Sequence, residues 1–297
     1  MTTTSSTHPF RFGVVAAQAP TGSAWTDLAR RVEQLGYDTL VMPDTVAHGL
    51  AVFPALAHAA QAVARLRVGT YVLANDLRHP VAVAKEAATL AVLTGGRFEL
   101  GLGAGRPAAE ADFAMLGLPW GAPGLRVSRL EQSVAIVRSL LAGETVTVDG
   151  PHYTAHDARI LPPGLDVPPV PLLIAAHGPR MLRLAGSAAD VVALGVPPQT
   201  DLAAAAKLAE QVAAAAAGRR VEVNVNLMAV GDAVPRYLAG RLDPAALDGS
   251  VAAVAGDPER AAEQLLERRD RLGLSYLLVA DELMETFAPT VARLAGR

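Results

Sequence analysis

The sequence predicts an α/β protein folded as a closed (β/α)8 barrel with insertions at its C-terminal face. Strand-like and helix-like segments alternate along the whole chain, which implies parallel strands joined by right-handed crossovers. Eight strand segments can be read off, and that number favours a closed barrel over an open doubly wound sheet. The length of 297 residues suits one such domain, since these barrels commonly run near ~250 residues. The glycines at 101, 103 and 105 invite a dinucleotide-fold reading. They sit at the fourth strand, however, and no acidic residue follows at the next strand end.

Residues 10–16 read as the first strand, and 25–35 as a helix with Ser23 or Thr26 as its cap. Gly36 ends that helix. Strand two covers 38–43, a helix covers 54–64, and strand three covers 68–74. Pro80 suits a helix start because its missing N–H is not needed in the first turn. Val81, Ala84, Ala87, Ala88 and Ala91 then recur at helical spacing over 81–94, and Gly95-Gly96 stops the helix by accepting positive φ. Phe98–Gly103 is strand four, and the exit Gly103-Ala104-Gly105 lets the backbone come close to something bulky. A helix at 128–141 puts Leu130, Val134, Val137 and Leu141 on one face. Leu172–Ala176 is strand five, followed by a helix at 180–188, strand six at 191–196 and an alanine-rich helix at 202–217. Strand seven at 221–230, the helix Pro258–Leu272, strand eight at 276–280 and a helix at 287–294 complete the pattern.

Two connections are long. Residues 106–127 join strand four to its helix, an insertion that belongs at the catalytic face of a barrel. Residues 142–171 read as a hairpin, 145–148 with 152–155 turning at Asp149-Gly150, and then a proline-rich return. One domain over 10–297 is expected, after a polar tail over 1–9 expected to be disordered.

Composition narrows the function classes. Hydrophobic residues make up 51%, enough for a large core. No apolar run reaches the ~20 residues that cross a bilayer, and the N-terminal residues lack the basic and apolar regions of a signal peptide. The chain has no cysteine, which excludes disulfides, thiolate metal sites and cysteine nucleophiles and is compatible with a cytoplasmic enzyme. A net charge of −3 with interspersed signs argues against nucleic acid or an anionic membrane as the main partner. No metal is expected, and neither a GxSxG motif nor a Walker phosphate loop occurs.

Catalytic residues of such a barrel stand at the C-terminal strand ends. Ala175-Ala176-His177-Gly178-Pro179-Arg180 joins small residues to a Gly-Pro helix opening, which aims backbone N–H groups at one point and favours an anion. Pro179 has no N–H, so Ala176, His177 and Gly178 are the donors; an ordinary helix start is the alternative. Asp44 ends strand two as a catalytic candidate, or as a cap or ion-pair partner, and Thr45 and His48 follow it. Asn75 suits a ring carbonyl or a ribityl hydroxyl, or else a turn before Asp76. Trp120 on the long loop, with Gln18 after strand one, is assigned to a substrate pocket, and Trp25 to packing.

The order Arg78-His79-Pro80, then AKEAATL, then GGRFELGLGAG resembles the luciferase-like flavin and deazaflavin oxidoreductases, which are (β/α)8 barrels. The segment GDPERAAEQLLERRDRLGLSYLLV resembles the closing unit of deazaflavin-dependent members. The resemblance implies coenzyme F420 as cofactor, with FMN as the alternative, and a hydride transfer to or from a small organic substrate. It implies that the 176–179 turn binds the cofactor phosphate. It places Val72, Leu73, Ala74, Asn75, Gly103, Ala104, Gly105, Arg106 and Tyr153 around the cofactor, and implies a non-proline cis bond at Tyr71–Val72 that supports the ring. Relatives often carry Asp-His where this chain has Asp44-Thr45, and tryptophan or glutamate where it has Arg106. Thr45 is a poor proton shuttle, and arginine stays protonated and cannot be an acid. These departures favour reduction of a polarised C=C or C=N bond, with the proton from water, Thr45 or Tyr71. A small-molecule or peptide substrate, a homodimer and a separate reductase supplying reduced cofactor complete the expectation. The other readings are an FMN-dependent monooxygenase and a non-catalytic barrel or partner subunit.

Overall fold

The computed structural model describes residues 8–161, 164–241 and 244–297. The tail expected over 1–9 falls outside the described residues up to position 7. In chain order the elements are β1 (Arg11–Val15), α1 (Gly22–Gln34), β2 (Thr39–Met42), α2 (Val52–Gln61), β3 (Arg67–Thr70), β4 (Leu73–Ala74), α3 (Pro80–Leu93) and β5 (Phe98–Gly103). Next come α4 (Glu110–Met115), α5 (Pro123–Leu141), β6 (Val146–Asp149), β7 (Thr154–Ala158), β8 (Leu172–Ala176), α6 (Pro179–Ala188) and β9 (Val191–Leu194). The last are α7 (Leu202–Ala216), β10 (Glu222–Leu227), β11 (Ala229–Val230), β12 (Ala253–Val254), α8 (Pro258–Leu272), β13 (Leu274–Ala280) and α9 (Met284–Leu294).

The main sheet runs β3-β2-β1-β13-β10-β9-β8-β5-β4, and β3 also pairs with β5. That extra pairing closes the eight principal strands into a parallel (β/α)8 barrel. Strands β2, β5 and β9 are buried at every residue, as parallel strands covered on both faces require.

The chain falls into two compact units. In the unit built from residues up to Ala16, Arg31–Leu40 and Ala176–Arg297, Phe12 packs against Phe10 and Phe287 at ring-centroid distances of 5.9 and 5.6 Å. Arg268 of α8 is buried there and donates to the carbonyls of Ser250, Val251 and Ala253, tying down the segment before α8. Burial lowers its pKa to about 10. In the unit of Ala17–Arg30 and Val41–Ala175, the Trp25 indole N–H donates to the Ala55 carbonyl at 2.8 Å, so Trp25 is a packing residue.

Local chemistry explains where elements start. His79 caps α3 by accepting from the Val81 amide, Pro80 opens it, and Gly95 and Gly96 stop it at φ 61° and 84°. The cap of α1 is Thr21, whose hydroxyl accepts from the Ala24 amide, and not Ser23 or Thr26. Strand three is broken into β3 and β4, and strand seven into β10 and β11. The helix expected at 128–141 begins at Pro123, since proline again opens it, and α4 fills part of the 106–127 connection. The hairpin forms with β6 against β7, a few residues from the expected bounds. The parallel β11–β12 pair has no counterpart in the sequence reading.

Candidate active site

Strand β5 reads FELGLG, and period-2 alternation puts Glu99, Gly101 and Gly103 on one face. The Tyr71–Val72 peptide between β3 and β4 is cis, as the resemblance implies. A Cβ added at Gly103 would lie 2.8 Å from Val72 Cγ2, and one at Gly101 would clash with the Thr70 carbonyl. The Thr70 hydroxyl meanwhile donates to the Gly101 carbonyl at 2.9 Å and accepts from the Gly101 amide at 2.7 Å. What these glycines approach is therefore the neighbouring strand segment. Gly105 likewise makes room for Trp120.

Asp44 is an ion-pair partner. Its carboxylate accepts Arg78 Nη1 and Nη2 at 2.6 and 3.0 Å and the Ala74 amide at 3.2 Å, and its side chain is only 3% exposed. Two hydrogen bonds to one guanidinium fix an orientation as well as a charge. Thr45 donates its hydroxyl to the His48 carbonyl and accepts from the His48 amide, so this pair forms a local turn with the imidazole exposed. The Ala47 amide donates to Asp112 of α4 at 2.9 Å, which links that turn to the 106–127 connection. Tyr71 and Val72 are half-buried, Leu73 and Ala74 buried, and Gln18 is exposed.

Beyond β4 stands a polar cluster. Asn75 is 4% exposed and donates from Nδ2 to the Tyr153 hydroxyl at 2.9 Å and to Asp76 Oδ1 at 3.0 Å. Arg129 of α5 donates to Asp76 Oδ2 at 2.9 Å. Gln132, one turn along α5, accepts from the His152 and Tyr153 amides and donates to the Tyr153 carbonyl, holding the hairpin tip. The His79 ring meets Tyr153 edge-on at 5.5 Å. Burial, then the nearby Asp76 charge, raises the Tyr153 pKa. His152 and His156 stand four residues apart, but His152 Nε2 bonds Ser128, and among the described residues no group of three metal-ligating side chains occurs.

The 106–127 connection carries its own small core. Trp120 packs edge-on against Phe113 at 5.0 Å, and the Arg126 guanidinium lies 3.8 Å above the Trp120 ring. Arg126 also donates to the carbonyls of Ala104 and Gly121, at 2.9 and 2.6 Å. Arg106 is exposed, with no side-chain partner among the described residues. Sequence reasoning singled out neither Arg78, Arg126, Arg129 nor Gln132. Each acts through a partner distant in sequence, and only the Arg78-His79-Pro80 run carried a hint.

In the other unit, Gly178 adopts φ 80° at the N-cap of α6, a conformation that favours glycine. Its carbonyl accepts the Leu182 amide at 3.0 Å, which closes the first turn of the helix. His177 is exposed, and its Nδ1 lies 2.9 Å from the Gly195 carbonyl. Ala176 is buried as the last residue of β8.

Comparison with known proteins gives concordant results. The family model described as luciferase-like monooxygenase matches residues 3–236. A protein of Beutenbergia cavernae named F420-dependent glucose-6-phosphate dehydrogenase is 42% identical over 177 residues, covering 56% of this chain and 50% of its own. A 5,10-methylenetetrahydromethanopterin reductase of Methanolobus tindarius is 33% identical over 193 residues, covering 64% and 55%. The chain thus spans about half the length of the curated relatives it matches. Among solved structures, an F420-dependent secondary alcohol dehydrogenase in complex with an F420-acetone adduct superposes with a TM-score of 0.76 at 18% identity, over 95% of this chain and 99% of that one. The riboflavin lyase RcaE, with modified FMN, gives 0.77 at 15% identity, over 97% and 93%.

Proposed function

Because this chain belongs to the luciferase-like monooxygenase family, we propose that it is an oxidoreductase dependent on coenzyme F420. The observation that carries this reading is that curated relatives include proteins named for F420 and one named for methylenetetrahydromethanopterin reduction. The residues present suit such a cofactor. In one unit the Tyr153 hydroxyl suits an acceptor oxygen, and Arg106, without a side-chain partner among the described residues, suits an acidic tail; in the other unit, taken by itself, the α6 N-terminus suits a phosphate. Coenzyme F420, when bound, supplies or accepts the hydride.

This chain's own residues orient and exclude. The Asp44–Arg78 pair fixes the Ala74 amide and with it the segment Val72–Asn75 against which the ring would rest. Thr45 spends its hydroxyl proton on the His48 carbonyl, which leaves Tyr71 or water as the proton source. The Trp120–Arg126 stack stiffens the 106–127 connection over Ala104 and Gly105, where it shields a bound substrate from water. With Thr45 and Arg106 in place of a histidine and a glutamate, the reading favours reduction of an activated C=C or C=N bond. The substrate is a small molecule or peptide, the setting is the cytoplasm, the assembly is a homodimer, and a separate reductase supplies reduced cofactor. Stopped-flow oxidation of reduced F420 by candidate enones and imines tests the reading. Hydride loss without oxygen uptake supports it. Oxygen uptake with reduced FMN would replace it by the monooxygenase alternative.

A further inference from the structure

Strand β1 shows which side of its sheet faces the barrel interior. Phe12 packs on Phe287 of α9, so Arg11, Gly13 and Val15, which alternate with it, point inward. Strand β13 pairs with β1 as Gly13 to Leu278 and Val15 to Ala280, and with β10 as Asn224 to Tyr276 and Asn226 to Leu278. Residues paired across a ladder share a face, so Asn224 and Asn226 point inward as well. Asn224 is fully buried and donates to the Tyr276 carbonyl at 3.0 Å. Asn226 stands one layer nearer the C-terminal strand ends and is half-buried. There the interior face opens: Val15 and Ala280 are half-buried too, while the outward Val14, Leu227 and Val279 are fully buried. All of these residues belong to one compact unit.

The Asn226 side chain makes no hydrogen bond among the described residues: Oδ1 is buried without a partner, and Nδ2 reaches accessible space. Turning the amide over would bury two unmet N–H donors in place of one unmet acceptor, so the carbonyl-inward orientation costs less. The surrounding face is apolar, formed by Val15, Leu278 and Ala280, and the inward cation Arg11 is committed to Glu222 at 2.8 Å. A donor with no uncommitted cation on its face suits an uncharged acceptor and not a carboxylate or phosphate. We propose that Asn226 is a substrate-binding residue whose Nδ2–H donates to the neutral carbonyl oxygen of a small molecule at the ends of β1, β10 and β13. The proposal rests on the reading of this barrel as an enzyme acting on small organic substrates, and it names the group recognised. It holds with either cofactor.

Ligand-observed NMR titration of the full chain with cyclohexanone, cyclohexenone and valerolactam, with and without F420, tests the proposal. Asn226→Leu keeps the volume but removes the donor, and should weaken binding of these carbonyl probes about five- to tenfold, the scale of one hydrogen bond. Cyclohexylammonium offers no acceptor and should bind parent and variant alike. Asn226→Asp exchanges the donor for an acceptor-only carboxylate and should turn the preference from ketone to ammonium. Thermal midpoints without ligand give a second readout. Asn226→Leu also removes the unmet buried Oδ1, so it should melt a few degrees higher than the parent, whereas a residue kept for the fold would melt lower when replaced. Asn226→Leu carries the test if Asn226→Asp does not fold. Undiminished carbonyl binding by Asn226→Leu, a lower midpoint for that variant, or a parent chain that binds none of the three probes would overturn the role of Asn226. Failure of the parent to bind F420, with the probe results intact, would overturn the F420 reading alone.

Discussion

Replacing Gly103 by alanine should destabilise the fold, and shortening Val72 should relieve the cost. The added methyl would sit 2.8 Å from Val72 Cγ2, against a favourable carbon–carbon separation of roughly 3.5–4.0 Å. An overlap approaching 1 Å in a packed strand pair costs about 1–3 kcal/mol. Val72→Ala removes the offending Cγ2 and, at a half-buried position, should itself cost about 1 kcal/mol. The double variant should then be more stable than the sum of the singles implies, with a coupling of about 1–2 kcal/mol. Gly101→Ala has no such remedy, because its methyl meets the Thr70 backbone carbonyl. Denaturant midpoints at constant slope give the energies. A Gly103→Ala protein as stable as its parent, or a double variant with no relief, would refute the claim that these glycines exist for the neighbouring strand segment.

Three further outcomes follow from the same geometry. Arg126→Ala removes two carbonyl hydrogen bonds and the Trp120 stack, and should cost about 2–3 kcal/mol and raise protease sensitivity within 106–127, read by limited proteolysis. Glu86 of α3 has its pKa raised above the ordinary 4.5, chiefly by burial, so its ionised form is penalised in the folded state at neutral pH and the penalty fades as pH falls toward that value. Glu86→Gln should therefore be more stable than the parent at pH 7, and the difference should vanish once the pH falls below the ordinary glutamate value, read from denaturation curves. Gly178→Ala meets no neighbouring atom but must hold φ 80°, and should cost about 1–2 kcal/mol of stability by thermal melting while weakening binding of phosphate-bearing cofactors.

The barrel was legible because its code is local. Alternating strands and helices, Pro80 and Gly95-Gly96 around α3, and the glycine run of β5 each state their element without distant partners. The cis bond came from resemblance and could not have come from spacing. The candidate site was harder to read because its polar side chains work in pairs. Asp44 reads from sequence as a catalytic candidate or as a cap or ion-pair partner, and only Arg78, 34 positions on, decides for the ion pair. Thr45 looked like a donor until the His48 carbonyl took its proton. The Asn75–Asp76–Arg129 chain and the Gln132 clasp join three elements, and no periodicity in any one of them announces the contact. Segment 231–257 lacks strong periodicity, and Arg268 organises its end from a helix further along.

Anaerobic titration of the purified chain with F420 and, separately, with FMN is the most direct measurement. Saturable quenching of deazaflavin fluorescence, with FMN binding far weaker, is the predicted result. Tight FMN binding with little response to F420 would contradict the account.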